Sequence, residues 1–252
     1  TENTQPALLL AGVAALTVLE DETERTAQEL ASYVAGHSLG EYTALVAAGV
    51  LSFPDAIKLV RTRGQAMQAA VPEGVGKMAA VLGLSRDEID AIAQQADVYI
   101  ANDNADGQIV LSGAANNTQN ACALAKEAGA KRAVELSVSA PFHSPLVAPA
   151  AEVMAEAFQN VVFHPPKIPV VSNVEAMVMG NADIWPDLLT KQITATVRWR
   201  ESMIYLAQEG VTSLLELGSG KVLTGLAKRC DKRLSAKALQ TVDDIKNQRK
   251  NT

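Results

Sequence analysis

The sequence contains little cysteine, few aromatic residues and no excess of positive charge. Its two cysteines, Cys122 and Cys230, are far apart and neither lies in a CxxC motif, so we expect neither a disulfide framework nor a zinc site. Aromatic residues make up 4% of the 252 residues and the formal net charge is −6, a composition that argues against a nucleic-acid-binding protein. This cysteine usage is typical of a reducing compartment, so we expect a cytoplasmic protein without a bound metal.

Long hydrophobic runs are also missing. The longest, Ala7 to Leu19, is shorter than the roughly 18 residues that a membrane span requires, so it predicts a buried helix. We expect this helix to begin near Pro6 with Thr4 as its cap. An acidic, solvated segment should follow from Glu20 to Glu29. The last residues, 241–252, should form a frayed polar tail.

The sequence does contain enough apolar material for a large buried core, since 48% of its residues are hydrophobic and 20% are charged. Predicted strands alternate with helices along most of the chain, which indicates an α/β fold with a largely parallel sheet covered by helices. Residues 71–138 follow the order β-α-β-β-α-β, which predicts an inserted ferredoxin-like small domain. Within it we expect a turn from Asn102 to Gly107. Residues 1–70 and 139–252 should form the core domain.

One short motif carries most of the chemical information. Gly36-His37-Ser38-Leu39-Gly40 has the G-x-S-x-G form of a nucleophile elbow, with a predicted strand before it and a helix after it. Small residues permit a tight turn that exposes the serine hydroxyl. The Leu39 amide, at the start of the helix, then points toward negative charge that develops on a substrate carbonyl. The simpler alternative is a glycine-bounded turn, but the flanking strand and helix favour a nucleophilic Ser38.

A nucleophilic serine needs a base, and the chain has three histidines. His37 adjoins the serine on a sharp turn that directs its side chain elsewhere, so we expect a structural role. His164 precedes two prolines in a stiff loop, which indicates a surface position. His143 lies where the small domain returns to the core, a seam at which pockets form, and it is the favoured base. No carboxylate partner is evident for it, so a backbone carbonyl or amide could orient the imidazole instead.

Arg63 is the most informative charged residue. On the predicted helix that begins at Phe53 and reaches Ala70, it falls on the apolar face, and a buried guanidinium requires an anion because it stays charged. One interpretation is a structural salt bridge inside the protein. The other is a bidentate clamp for a substrate carboxylate close to Ser38. The residues alone leave both interpretations open.

Several segments together resemble the malonyl-CoA:acyl carrier protein transacylase family of fatty acid synthesis. They cover nearly the whole chain in order. These segments are Thr4-Gln5-Pro6-Ala7-Leu8, Gly36-His37-Ser38-Leu39-Gly40-Glu41-Tyr42, Arg61-Thr62-Arg63-Gly64, Asn102-Asp103-Asn104, Pro141-Phe142-His143-Ser144 and Gly218-Ser219-Gly220-Lys221-Val222. The combination of G-H-S-L-G-E-Y with a downstream F-H-S is highly specific. The resemblance implies an α/β-hydrolase-like core with a ferredoxin-like insertion.

The resemblance also implies a reaction and the residues that perform it. Ser38 would attack malonyl-CoA to form a malonyl ester, and the phosphopantetheine thiol of acyl carrier protein would then take the malonyl group. His143 would serve as general base and acid, and Arg63 would hold the malonyl carboxylate. Malonyl-CoA and acyl carrier protein would be the partners, and no cofactor is expected. We expect a monomer that binds neither nucleic acid nor membranes.

Further residues match binding positions of the family. Gln192 would orient the histidine through its backbone carbonyl, Asn104 would lie near the active-site mouth, and Phe142 would favour malonyl over methylmalonyl groups. Two departures accompany these matches. The sequence has no G-Q-G-S-Q motif, whose last glutamine supplies an oxyanion-hole amide in the family. In addition, Ile193-Thr194-Ala195-Thr196 follows Gln192 where the family usually has a more Asn-Pro-like turn.

Two other functions stay open at this point. A serine hydrolase, such as a thioesterase or an esterase, would use the same elbow but would have no need of Arg63. An incomplete, non-catalytic domain would bind carrier protein or CoA without turnover, and the missing G-Q-G-S-Q motif is its main support.

Overall fold

The computed structural model describes residues 2–138 and 140–249 and has the mixed α/β character that the sequence predicts. Its helices are, in chain order, α1 (Thr4–Thr23), α2 (Ala27–Leu30), α3 (Leu39–Ala47), α4 (Phe53–Ala69), α5 (Arg86–Ala96), α6 (Ala115–Glu127), α7 (Ala148–Phe158), α8 (Trp185–Thr194), α9 (Trp199–Gln208), α10 (Val222–Cys230) and α11 (Val242–Arg249). Its strands are β1 (Val34–Ala35), β2 (Gly76–Leu82), β3 (Tyr99–Ala105), β4 (Gln108–Ala114), β5 (Arg132–Glu135), β6 (Val170–Val171), β7 (Val178–Met179), β8 (Ser213–Leu217) and β9 (Ser235–Leu239).

The strands outside residues 71–138 form two small sheets, whereas the sequence predicts one largely parallel sheet. β1 and β6 pair in parallel, with Val34 opposite Val170, and β7 pairs antiparallel with β6. β8 and β9 form a separate parallel pair. The strands β1 and β8 are not joined by backbone hydrogen bonds within the described residues. Residues of both strands line one cavity of about 810 Å³.

Helices α3, α4, α7 and α8 bury the apolar core around the β1–β6 pair. Its large, fully buried side chains include Tyr42, Leu45, Met67, Met154, Trp185 and Leu189. Each such side chain contributes about 1.5–3 kcal/mol through removal of apolar surface from water. At the start of α4, Ser52 Oγ accepts a hydrogen bond from the Asp55 amide at 3.1 Å, so a serine side chain caps this helix.

Helix α1 differs from its sequence-based prediction at both ends. Asn3, not Thr4, holds the cap position, and it makes no side-chain hydrogen bond to the helix. The helix continues to Thr23 and ends at Glu24 in a left-handed conformation. The acidic segment expected at 20–29 is helical over 20–23 in α1 and over 27–29 in α2, because charged residues can continue the solvated face of a helix whose other face is buried. Among the described residues, no helix combines the length and apolar character needed to cross a membrane.

The prediction of a frayed tail at 241–252 is wrong for most of the residues that the structure describes there. Helix α11 places Ile245, only 2% exposed, against Leu19 and Leu239. One buried isoleucine thus anchors a segment whose charged composition is typical of a solvated tail. The last three positions, 250–252, lie outside the described residues.

Strands β2 to β5 form a separate antiparallel sheet in the order β3-β4-β2-β5. With α5 after β2 and α6 after β4, the elements follow the predicted β-α-β-β-α-β order. Ile89 and Ile92 of α5 pack with Ala121 of α6 and with Leu111 of β4 in one buried cluster. Both helices therefore cover the same face of this sheet.

The predicted turn from Asn102 to Gly107 is wrong over most of its length. β3 continues through Ala105, and only Asp106 and Gly107 form the turn. The strand persists because it pairs with β4 on one edge, with Asn102 opposite Val110 and Ala105 opposite Gln108. On its other edge the Asp103 amide donates to the carbonyl of Val197 at 3.0 Å. Backbone pairing on both edges thus overrides the turn preference of these side chains.

Asp103 also ties the small sheet to the rest of the molecule. Its fully buried carboxylate accepts from Arg86 Nη1 at 3.2 Å and from Arg200 Nη2 at 2.9 Å. Arg86 belongs to α5 and Arg200 to α9, so one carboxylate of β3 joins two helices that both contact this strand.

Candidate active site

Ser38 occupies the sharp turn between β1 and α3. Its backbone angles, φ 52° and ψ −106°, are rare for a residue with a side chain. The turn can close this tightly only with glycine at position 36, because a Cβ there would lie 1.9 Å from the carbonyl oxygen of Gly40. A Cβ at Gly40 would meet nothing within 4 Å. The structure therefore has the strained strand-to-helix turn that the motif predicts.

His143 lies against this turn, in the segment that follows β5. Its Nε2 is 2.8 Å from Ser38 Oγ, and its Nδ1 is 2.8 Å from the backbone carbonyl oxygen of Gln192. Because a carbonyl can only accept, Nδ1 carries the proton and Nε2 accepts from the serine hydroxyl. Of the two backbone groups that the sequence left open, the orienting group is a carbonyl, and it belongs to the residue that the resemblance implies.

The imidazole of His143 is neutral at ordinary pH. The residue is only 4% exposed, and its burial together with the nearby charge of Arg63 lowers the pKa of His143 to about 3, against the opposing effect of the Gln192 hydrogen bond. A neutral imidazole with a free lone pair toward a hydroxyl is the form that general-base catalysis requires.

Arg63 reaches the same hydroxyl from the other side. Its Nη2 donates to Ser38 Oγ and to Gln192 Oε1, both at 2.9 Å, and its Nη1 donates to Gln5 Oε1 at 2.7 Å. The guanidinium lies 5.7 Å from the centre of the Tyr42 ring, and its buried Nε has no hydrogen-bond partner within the described part of the chain. No carboxylate forms an ion pair with it among the described residues.

Three site residues were not selected by sequence reasoning. Asn173 accepts from the Ser38 amide at 2.7 Å through Oδ1 and donates to the Gly36 carbonyl at 2.7 Å through Nδ2. Glu41 accepts from the Asn173 amide at 2.9 Å and from the side chain of Gln192. The third, Gln5, is the partner of Arg63 noted above. Two signals were available in the sequence: a carboxylate in the largely apolar helix after the elbow, and an asparagine two positions after the β-branched pair Val170-Val171.

Two of the sequence-derived residues, His37 and Asn104, bind each other. His37 Nε2 and Asn104 Oδ1 are 2.7 Å apart, and the His37 ring lies 5.5 Å from the ring of Trp199. This agrees with the structural role expected of His37. Asn104 lies on β3, and its side chain binds the imidazole ring of His37.

The other predicted positions are placed as follows. Leu39 is the first residue of α3, so its amide is among those that a helix leaves without an internal partner. Phe142 is half-buried beside His143 and packs against apolar residues of both the core and the small sheet. His164 is exposed, as expected. Within the described residues, no group of three or more His, Cys, Asp or Glu side chains could hold a metal ion.

A serine on a strained elbow, paired with a neutral histidine, is the arrangement of enzymes that transfer or hydrolyse acyl groups. The chain belongs to the acyl transferase domain family, whose model matches residues 1–248.

Individual relatives make the comparison more specific. The malonyl CoA-acyl carrier protein transacylase of Haemophilus influenzae is 46% identical over 233 residues, which are 91% of this chain and 74% of that protein. The protein of the same name from Bacillus subtilis is 44% identical over 250 residues, covering 97% of this chain and 77% of its own length.

Solved structures agree with these sequence matches. The acyl-carrier-protein S-malonyltransferase of Bartonella henselae superposes with a TM-score of 0.96 at 43% identity, covering 100% of this chain and 81% of that one. A malonyl-transacylase solved in complex with its type II PKS acyl-carrier protein gives a TM-score of 0.95 at 41% identity, with coverage of 100% and 82%.

Proposed function

We propose that this protein moves a malonyl group from malonyl-CoA to the phosphopantetheine thiol of acyl carrier protein, through a malonyl ester on Ser38, in fatty acid biosynthesis. The observation that carries the proposal is Arg63, a cation that is 2% exposed and donates to Ser38 Oγ. A buried guanidinium beside a nucleophile suits a substrate with its own carboxylate. The names of the relatives at 44–46% identity support the same reaction.

The first half-reaction acylates the serine. His143 Nε2 takes the proton of Ser38 Oγ as that oxygen bonds to the thioester carbonyl carbon. The amide of Leu39, at the positive end of α3, donates to the oxyanion that forms. The carbon–sulfur bond then breaks, and the CoA sulfur leaves with the proton from His143.

The second half-reaction uses the same groups in the same order. His143, neutral again, takes the proton of the phosphopantetheine thiol, whose sulfur attacks the malonyl ester. The serine oxygen leaves and recovers its proton from the imidazole. No step needs a cofactor or a metal ion.

Arg63 selects the acyl group in both halves. The malonyl carboxylate is one methylene away from the reacting carbonyl, so an ester on Ser38 Oγ brings it close to a guanidinium that already reaches this oxygen. Charge-assisted hydrogen bonds contribute about 1.5–3 kcal/mol, which corresponds to a preference of about 10- to 150-fold over an acyl group without the carboxylate.

The remaining positions complete the proposal. Gln192 orients His143, Asn104 lies at the mouth of the site through its bond to His37, and Phe142 limits the space beside the base to a malonyl group. We further propose an α/β-hydrolase-like core over 1–70 and 139–252 and a ferredoxin-like small domain over 71–138. The elbow between β1 and α3 supports the first assignment, and the antiparallel order β3-β4-β2-β5 supports the second. A monomeric, cytoplasmic enzyme fits these assignments.

Intact-mass measurement tests the function directly. The protein is mixed with malonyl-CoA or acetyl-CoA, and the Ser38→Ala variant is treated in parallel. We expect a malonyl-sized adduct on the unmodified chain, none on Ser38→Ala, and little or none from acetyl-CoA. Addition of acyl carrier protein should then remove the adduct and add the same mass to the carrier. Rapid release of the acyl group to water without carrier would identify a hydrolase instead, and no adduct on a folded sample would identify a non-catalytic domain.

A further inference from the structure

Glu41 is a buried carboxylate that the proposed reaction does not use. It is the third residue of α3, 1% exposed, and it follows Ser38 by three positions. Burial of an ionisable group is costly unless its polar partners compensate. Desolvation raises the pKa of Glu41 to about 7, although the Asn173 amide, the Gln192 side chain and the Arg63 charge all favour the ionised form. A buried carboxylate beside the catalytic residues is therefore expected to have a function that offsets the cost of its burial.

Its two oxygens bind two different residues. Oε1 accepts from the backbone amide of Asn173 at 2.9 Å, and Oε2 accepts from the side-chain nitrogen of Gln192. A carboxylate is the side chain that offers an acceptor in both directions, because an amide in its place would present a donor to one of these partners.

Each partner holds one member of the catalytic pair. The backbone carbonyl of Gln192 fixes the imidazole of His143 at 2.8 Å, and the side chain of Asn173 fixes the amide of Ser38 at 2.7 Å. Glu41 is therefore linked to His143 through Gln192 and to Ser38 through Asn173, and these are the two residues between which the proton moves. It contacts neither reacting atom itself.

Glu41 also sets the orientation of the Gln192 amide. Because its carboxylate accepts from Nε2, the Oε1 atom of Gln192 faces Arg63, whose Nη2 donates to it at 2.9 Å. A flipped amide would turn its NH₂ group toward the guanidinium and would lose this bond. The Glu41 carboxylate, the Gln192 side-chain amide and the Arg63 guanidinium thus form one chain of hydrogen bonds that ends at Ser38 Oγ.

Resting on the proposed acyl transfer, we infer that Glu41 is a positioning residue, whose carboxylate holds Gln192 and Asn173 and thereby aligns His143 with Ser38. The substrate makes no contact with it, so it should affect the rate of the chemical steps more than the binding of malonyl-CoA.

Steady-state kinetics of Glu41→Gln, with the folded state checked by thermal melting, test this inference. We expect kcat for malonyl transfer to fall by about 10- to 100-fold, the loss typical of a misaligned catalytic group. KM for malonyl-CoA should stay within about threefold, because binding contacts are retained. In ¹⁵N–¹H NMR spectra, the Nδ1–H resonance of His143, assigned by its absence in His143→Ala, should shift or broaden in the variant. A folded Glu41→Gln with kcat within about twofold of the unmodified protein and an unchanged imidazole resonance overturns the inference.

Glu41→Asp covers the case in which Glu41→Gln does not fold. It keeps the buried charge but is one methylene shorter, so it cannot reach both amides, and kcat should still fall. Full activity of a folded Glu41→Asp overturns the inference.

Asp103→Asn is the matched control, because Asp103 is an equally buried carboxylate outside the Ser38 network. It should lower the melting temperature while leaving kcat and the His143 resonance unchanged. If the unmodified protein forms no malonyl adduct, the proposed function fails, but the imidazole resonance still reports whether Glu41 orients His143.

Discussion

Arg63 and His143 meet at one oxygen atom. Nη2 of Arg63 donates to Ser38 Oγ at 2.9 Å while Nε2 of His143 lies 2.8 Å from the same atom. Burial, with the added charge of Arg63, keeps the base neutral by lowering the pKa of His143, and the same cation offers an anchor for an anionic substrate. Acyl selection and nucleophile activation are therefore coupled through a single guanidinium.

Replacement of Arg63 should change the preference for malonyl over acetyl groups more than it changes the rate at which Ser38 is acylated by acetyl-CoA. For Arg63→Ala we expect kcat/KM with malonyl-CoA to fall by about 10- to 150-fold, because the carboxylate loses charge-assisted bonds. Acylation by acetyl-CoA should be equal or faster. Burst-phase acylation with the two thioesters measures both. Arg61→Ala, an exposed arginine on the same helix, should match the unmodified protein, and equal losses with both thioesters would contradict the clamp.

His143 should not titrate in the range usual for histidine. With its pKa lowered to about 3, the imidazole stays neutral as the pH falls from 8 to about 4. The chemical shift of its Cε1 proton should show no midpoint in that range, as measured by NMR across a pH series. A midpoint near pH 6 would show that burial and Arg63 do not act on this group as inferred.

The same shift predicts how stability changes with pH. A folded-state pKa below the ordinary value means that the unfolded chain binds more protons than the folded chain between about pH 6.5 and pH 3. The contribution of His143 to stability is therefore present above about pH 6.5 and is lost as the pH falls toward 3. Urea unfolding at pH 7 and pH 5 should show a smaller loss for His143→Gln than for the unmodified protein. An equal loss in both proteins would contradict the assignment.

The two glycines of the elbow should respond in opposite ways to the same change. Gly36→Ala should prevent the turn from closing, because its Cβ would lie 1.9 Å from a backbone carbonyl oxygen, and both folding yield and acylation should be lost. Gly40→Ala meets no atom within 4 Å and lies in α3, where alanine is favoured over glycine by up to about 1 kcal/mol. Thermal melting compares the two. A melting temperature for Gly36→Ala equal to that of Gly40→Ala would contradict this geometry.

Asp103 should matter for stability far more than the second carboxylate bound to Arg86. We expect Asp103→Ala to lose about 2–4 kcal/mol in the free energy of unfolding, since two arginines are left beside a buried gap. Asp90→Ala removes an exposed partner of Arg86 and should cost no more than about 0.5 kcal/mol. Urea denaturation of both variants measures the difference, and similar values for the two would argue against the buried pairing.

The residues that were predictable from sequence are those whose signal is local. The glycines around Ser38 predict its role, and the position of Arg63 on the apolar face of α4 predicts that its guanidinium is buried. Glu41 and Asn173 lie 132 positions apart in the chain, and their function exists only once the chain has folded. Each residue has its own local signal, but no local pattern in a single sequence shows that the two act together.

The errors in the fold prediction have the same origin. Asn102 to Gly107 has the composition of a turn, but pairing with β4 on one edge and the bond to Val197 on the other extend β3 through Ala105. The segment after residue 241 has the composition of a tail, but it forms a helix that buries Ile245. In both cases contacts made outside the segment outweigh the local preference.

The pairing of β3 with Val197, together with the bond of Asp103 to Arg200, has a practical consequence for engineering. A chimera that exchanges only residues 71–138 would keep the bond of Asp103 to Arg86 but would separate β3 from its native neighbour Val197 and Asp103 from its native partner Arg200. The exchangeable unit is discontinuous: it includes the stretch 197–200, which is remote in sequence but structurally part of the same assembly. Successful grafts between homologous chains should therefore carry both pieces together.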